Sequence, residues 1–521
     1  MSEQYDIAVV GSGFAGSLLA MIAQRLGQRV VLLERGRHPR VVIGESSTPL
    51  SNLLLEELTA HYDLPSIRPL SKWGSWQESR PELACGLKRG FSFFHHTLGR
   101  AGTIARENQL LVAASPHDRI ADTHWYRADF DQFLVSEAQR LGVDYLDEVD
   151  LREFTEDGQQ VCLTGTRNGR EMKIAARFVV DATGPRGFLH HALKLGERPL
   201  PGFPATQALY SHFSGVRRLE DLGAIASEET PPYPIDDAAM HHVFEGGWVW
   251  VLRFSNGVTS AGVAATEEFA ERLKFSDGAP AWDRVLQQVP VLREQFACAK
   301  AVQPFRHIVR LGFRSAAISG RNWALLPSAA GFIDPLLSTG FPLTLLGVAR
   351  LAEILERDWG TENFGAQLKN YAAQTDAELL ATSRLIAALY ANLGNFPVFA
   401  ALSLLYFAAA SYSETARRLG KPQLASSFLL HDHPQFGTEC TRVLEQAHLV
   451  RRGKNSDDLI EEIFRIIEPF DVAGLGDRTR RNWYPVEAED LLRGACKVDA
   501  SRDEIVQMLD RCGFKAAALQ A

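Results

Sequence analysis

Cysteine is scarce in this 521-residue chain. The six residues at 85, 162, 298, 440, 496 and 512 form no CxxC and no zinc spacing. This excludes a zinc module and argues against a disulfide-stapled scaffold, so the thiols read as reduced, as in a cytoplasmic protein. An excess of positive charge is also missing. The net charge of −8 gives no reason to expect a nucleic-acid partner. No apolar run reaches the roughly 20 residues that a membrane-spanning helix needs. The apolar stretch Phe396 to Ser411, which carries no charge, reads as a buried helix started by Pro397, not as a membrane contact. Met1 to Tyr5 is polar, so no signal peptide is expected before the first strand. There is no internal repeat, no low-complexity segment and no second GxGxxG. The adjacent histidines at 95/96, 190/191 and 241/242 would point to opposite faces of a strand, so no metal site is expected.

What is present is concentrated in the first 34 residues. Asp6 to Val10 is a short apolar run, the pattern of a buried parallel strand. Gly11-Ser12-Gly13-Phe14-Ala15-Gly16 follows, then a helical stretch from Ser17 to Leu26 and a second strand from Arg29 to Leu33. Gly11 permits the tight turn, Gly13 lets the backbone approach a pyrophosphate, and Gly16 lets the helix lie close on the strand. The helix N-terminus offers free N–H groups to phosphates. Glu34, at the end of the second strand, is placed to bind ribose hydroxyls. The unit predicts dinucleotide binding.

Further along, Gly44-Glu45-Ser46-Ser47-Thr48-Pro49 opens a helix from about Leu50 to Ala60, with Thr48 as N-cap. Gly86 to His96 reads as one strand. Period two places Lys88, Gly90, Ser92, Phe94 and His96 on one face. Asp181-Ala182-Thr183-Gly184 ends a strand at Val180, in the position where doubly wound folds meet a cofactor. Pro327 to Gly340 is a second loop feeding a helix from Pro342 to about Glu356, a natural anion site. Read alone, Lys88 is a surface lysine, and the Trp248/Trp250 pair, on one strand face, is equally consistent with plain core and with a functional role.

These pieces, taken in order with Arg127, the Trp248-x-Trp250 pair and Phe332-Ile333-Asp334-Pro335, resemble the flavin-dependent halogenases, within the wider aromatic-hydroxylase-like flavoproteins. The likeness runs from residue 5 to about 345 and is nearest to phenol- and pyrrole-type members. It implies an α/β fold: a doubly wound, Rossmann-type FAD-binding domain with an inserted β-sheet substrate domain and a helical C-terminal region. The implied boundaries are 1–75, 105–190 and 300–385 for the FAD domain. Residues 76–104 and 191–299 would form the substrate-facing sheet, and 386–521 the helical region.

The resemblance also implies chemistry. Reduced FAD, made by a separate NAD(P)H-dependent flavin reductase, would react with oxygen and with chloride or bromide to give hypohalous acid. Lys88 would receive it beside an electron-rich aromatic, either free or tethered to a carrier protein. Cofactor contacts are implied for Gly11, Gly13, Phe14, Ala15, Gly16, Glu34, Ser46, Arg127, Val149, Asp181, Gly184, Ser328, Asp334, Gly340 and Phe341. Halide contacts are implied at Thr339 and Gly340, and a substrate pocket at Trp248, Trp250, Phe94 and Leu337. Two departures stand out. The family's WxWxIP reads Trp248-Val249-Trp250-Val251-Leu252-Arg253, and Leu337 stands where tryptophan-specific members carry a glutamate. The alternatives are a flavin monooxygenase that hydroxylates an aromatic, an isoprenoid reductase, or a flavin-binding protein without catalysis.

Overall fold

Strand β1 (Gln4–Val10) is buried over most of its length because it is flanked on both sides. It runs parallel to β2 (Val30–Leu33) on one side and to the end of a long strand, Arg170–Asp181, on the other. Such strands need apolar side chains on both faces, which accounts for the unbroken Ile7-Ala8-Val9-Val10. Helix α1 (Phe14–Arg25) returns the chain between them. The parallel set is completed by Asp144–Leu146 beside β2 and Trp323–Leu325 beside Arg170–Asp181. An antiparallel pair, Val149–Glu156 and Val161–Arg167, extends the same sheet from the first half of Arg170–Asp181. This is a doubly wound, Rossmann-type sheet. The coordinates are a computed structural model that describes residues 4–225, 229–450 and 456–514.

Helix α2 (Pro49–His61) starts as its sequence dictates. The Thr48 hydroxyl accepts from the Ser51 N–H, the Ser51 hydroxyl accepts from the Thr48 N–H, and proline occupies the first turn.

The expected single strand 86–96 is two strands in two sheets. β3 (Cys85–Lys88) pairs antiparallel with Asp122–Trp125. β4 (Gly90–His96) pairs with β5 (Gln109–Ala113) and with Ala239–Phe244. The break is at Arg89. Its N–H donates to the Asp237 carbonyl, and its guanidinium donates to Asp118 and to the Ser115 and Pro116 carbonyls. A one-residue slip flips every side chain that follows. Lys88 therefore shares a side with Phe91, not with Phe94.

The second sheet runs Lys300–Ala301, Thr206–Ser214, Val258–Thr266, Gly247–Arg253, Ala239–Phe244, β4, β5 and Trp483–Tyr484. Four of its strands come from outside the expected range: β5, Lys300–Ala301 and Arg306–Ile308, which pairs off the main path with Thr206–Ser214, were all expected in the FAD unit, and Trp483–Tyr484 comes from the C-terminal region. One core runs from the first sheet through the helices Gly340–Arg357, Phe364–Ala391 and Phe396–Arg418. A second core lies on the far face of the second sheet and holds Phe94. Helix Phe396–Arg418 is long and apolar enough to cross a membrane, and 83% of its apolar window is buried inside the protein.

Candidate active site

The glycine turn is fixed by contacts that tolerate no side chain. Gly11 has φ +102°, and a Cβ there would lie 2.7 Å from the Ala182 carbonyl. A Cβ on Gly16 would lie 2.0 Å from the Gly11 oxygen. Gly13 differs: the first atom its Cβ would meet, at 3.3 Å, is a guanidinium nitrogen of Arg127. The space above Gly13 is thus bounded by a cation at a helix N-terminus, a cradle suited to a diphosphate. Arg127 is held by two bonds of 2.8 Å to Asp131 and by 2.9 Å to the Gly44 carbonyl.

Glu34 accepts from the Ser12 N–H (3.0 Å), the Ser12 hydroxyl (2.9 Å), the Gly36 N–H (2.8 Å) and Arg40 (3.2 Å). Burial pushes its carboxyl up, but Arg40 and these N–H groups outweigh burial, so the net shift is downward. Val149 lies beside it, donating its N–H to the Glu34 carbonyl. The carboxylate of Asp181 is spent on the Thr183 N–H and hydroxyl and on the Leu189 N–H. It shapes the turn, and the cleft wall is formed by Ala182, Thr183 and Gly184 instead.

A cleft of about 260 Å³ brings the remaining predicted residues together. Gly13, Phe14, Ala15, Ser46, Arg127, Ser328, Asp334, Thr339, Gly340 and Phe341 all line it. So do Trp248, Trp250 and Leu252. Alternation sends Arg253 the other way, where it bonds Asp236 and the Val216 and Arg217 carbonyls. The charge that replaces the family's proline therefore does not face the cleft. Gly340, the first residue of an 18-residue helix, has open space where a Cβ would stand, and Leu337 and Ser338 before it have φ of 62° and 55°. Asp334 is buried, and burial raises its carboxyl to about 7 against the lowering effect of the Leu336 N–H, Tyr390 and Trp248. The Tyr390 hydroxyl donates to it at 2.8 Å, and the Trp248 indole N–H donates to Tyr390 at 3.2 Å.

Lys88 is fully buried. Its ammonium donates to the Ser46 hydroxyl at 2.9 Å and to the Ser47 carbonyl, and lies 3.8 Å from the centre of the Phe91 ring. Ser46 lines the cleft just described, whereas Phe91 lines a second cavity of about 160 Å³. Lys88 is thus the wall between the two. Burial drives its ammonium down toward the neutral amine, and Asp122 opposes that.

The second cavity differs from the expected substrate pocket. Trp248 and Trp250 line the cofactor cleft, Phe94 packs in the outer core, and Leu337 is buried and lines neither space. The cavity wall instead contains Phe91, Tyr406, Phe407, Phe428 and Tyr484. Four of these five lie beyond residue 400, where no motif marks them. Arg40, Tyr390 and Asp122 also escaped the sequence reading, because nothing in their local pattern separates them from structural residues. Among the described residues, no three metal-binding side chains converge.

The glycine turn backed by Glu34, and the second helix N-terminus at Gly340 across the same cleft, define a doubly wound FAD-binding flavoprotein. The chain belongs to the tryptophan halogenase family: the family model of that description matches residues 121–393, just over half its length. It is 28% identical over 385 residues to the monodechloroaminopyrrolnitrin halogenase PrnC of Pseudomonas fluorescens, covering 73% of this chain and 66% of that one. It is 29% identical over 374 residues to the tetracycline 7-halogenase of Kitasatospora aureofaciens, covering 69% of this chain and 66% of that enzyme. The chain therefore spans just under two thirds of these relatives. Among solved structures, the halogenase PltM in complex with phloroglucinol and FAD superposes with a TM-score of 0.78 at 23% identity, covering 92% of this chain and 99% of that one. That likeness carries the fold.

Proposed function

We propose that the protein is an FAD-dependent halogenase of an electron-rich aromatic, with Lys88 as the group that carries the halogen from cofactor cleft to substrate cavity. The observation that carries this reading is the position of Lys88: its ammonium touches the wall of each space and is reached from neither by bulk water. A hydroxylase would need no such lysine.

Gly13 and Arg127 would hold the diphosphate of FAD, Glu34 the ribose, and Trp248, Ser328 and the start of the 340–357 helix would form the wall toward the flavin. What the reduced cofactor and oxygen supply is the oxidising power that turns halide into hypohalous acid. The chain does the rest. N–H groups at Thr339 and Gly340 hold the halide without a dedicated cation. Ser46 and Ser47 fix the Lys88 nitrogen, and burial favours the neutral amine that can accept the electrophile. Phe91 and Phe407, with ring centroids 5.0 Å apart, offer an aromatic wall to the acceptor ring.

The absence of a carboxylate at Leu337 favours phenol- or pyrrole-type substrates, whose rings are already activated. Relatives include carrier-protein-linked pyrrole halogenases, so a tethered substrate belongs to the test. We place the enzyme in the cytoplasm, fed by a separate flavin reductase. The test is incubation with FAD, a reductase, chloride or bromide, and a panel of free and carrier-bound phenols, pyrroles and indoles, read by mass spectrometry. A halogen-labelled product supports the reading. Hydroxylated product, or rapid NADPH oxidation by the purified protein alone, sinks it.

A further inference from the structure

Asp122 stands directly opposite Lys88 in the β3 ladder, so the two side chains share one face. It is 6% exposed and lines the cavity of about 160 Å³. One of its oxygens, Oδ1, accepts from the Asn52 amide at 2.8 Å. The other, Oδ2, is buried without a hydrogen-bond partner. The neighbouring charges are engaged elsewhere. Lys88 donates to Ser46 and Ser47, and Arg418 is paired with Glu414 at 2.7 Å. Among the described residues, a second wall atom shares this condition, the hydroxyl of Ser115. A buried carboxyl oxygen left unpaired costs on the order of 1–3 kcal/mol, so its persistence calls for a ligand. The cavity is of the size that takes a one-ring arene, near the roughly 150 Å³ at which a buried apolar hole binds benzene. The rest of its wall is mostly apolar, with Phe91, Phe407 and Phe428 set among aliphatic side chains such as Val112, Ile120 and Leu475.

We propose that Asp122 is the acceptor that binds the ring N–H or O–H of the aromatic substrate and holds that ring beside Lys88, so that the cavity selects arenes carrying such a donor. The inference rests on the second cavity being the substrate site, as in the halogenase reading. Ser115 offers a second polar contact across the ring. The arrangement also accounts for Leu337: the carboxylate that one branch of the family places at that position is supplied here from a different strand.

The test is equilibrium binding of resorcinol and of 1,3-dimethoxybenzene to the FAD-loaded protein, without reductant or halide. Wild type is compared with Asp122→Leu and Asp122→Asn, and the ratio is taken within each ligand so that ligand size cancels. Removing the acceptor should weaken resorcinol about tenfold to hundredfold and leave the dimethyl ether within about twofold. Asp122→Asn keeps the volume and the Asn52 contact, and should weaken resorcinol by less. Equal effects on both ligands, or undiminished resorcinol binding in both variants, overturn the proposal. FAD retention checks folding of the leucine variant; if it fails, the asparagine variant decides alone. Because no halogenation is read, donor selectivity at Asp122 without halogenated product would keep this inference and reject the halogenase reading.

Discussion

At the scale of single residues, Lys88 separates the possible chemistries. Its nitrogen is held by Ser46 and Ser47 and sits over Phe91, on a strand that belongs to a different sheet from the strand leading into the Gly11–Gly16 turn. Lys88→Ala is expected to abolish halogenated product while FAD affinity and flavin reoxidation stay at wild-type values, since a relay acts only on the chemical step. Product and reoxidation measured in parallel check this; halogenation by the variant near the wild-type rate ends the assignment. Asp334 makes a different prediction. Burial holds its folded-state carboxyl protonated up to about 7, whereas the unfolded chain releases that proton near 4. The folded state therefore binds more protons between these values, and stability falls as pH rises through that window, by at most about 1.4 kcal/mol per pH unit. Asp334→Asn removes the titration. Its effect on the denaturation midpoint should be less unfavourable at pH 8 than at pH 5, and a variant that tracks wild type in parallel across that range refutes the burial argument.

At the scale of elements, α1 and its turn show how local pattern becomes a site. Gly11 and Gly16 are required by backbone contacts inside the protein, whereas a Cβ on Gly13 would meet only side-chain ends, Arg127 at 3.3 Å and Arg40 and Asp131 at 3.8 Å. Gly13→Val should therefore cost under about 1 kcal/mol of stability, since the tethered Arg127 nitrogen at 3.3 Å needs to give only slightly, yet remove FAD binding by filling the diphosphate space. Flavin titration together with a melting curve checks both halves; stoichiometric FAD in the variant means the cradle is misread. This element was legible in the sequence because its glycines, strand and acid lie within 34 residues. Thr48-Pro49 was legible for the same reason. The 86–96 strand was not. Period two carries side-chain direction only while the strand is continuous, and Arg89 breaks it by bonding Asp118 and Asp237 from other loops. Hence Lys88 was found by resemblance while its neighbour was named as Phe94 in place of Phe91. Asp122 was invisible because its partner Lys88 lies 34 positions away and meets it only through sheet pairing.

At the scale of the whole molecule, the C-terminal helices build the wall of the cavity beyond Lys88. The family likeness read from the sequence stops near residue 345, which fits a C-terminal region that shapes a pocket and carries no motif. Ala410 lies half-buried on the Phe396–Arg418 helix, in that wall and away from every residue of the cofactor cleft. A tryptophan there adds an indole to a cavity of about 160 Å³, enough to exclude a one-ring substrate. Ala410→Trp is expected to lower aromatic product tenfold or more, with FAD affinity and the oxygen-dependent reoxidation of reduced flavin unchanged. If the acceptor ring instead bound beside Trp248 and Trp250 in the cofactor cleft, the substitution would leave product intact, because Ala410 lines only the second cavity and not that cleft. Product yield and flavin reoxidation, followed together in one reaction for wild type and variant, decide between the two positions. They also decide whether a substrate reaches Lys88 from the C-terminal side.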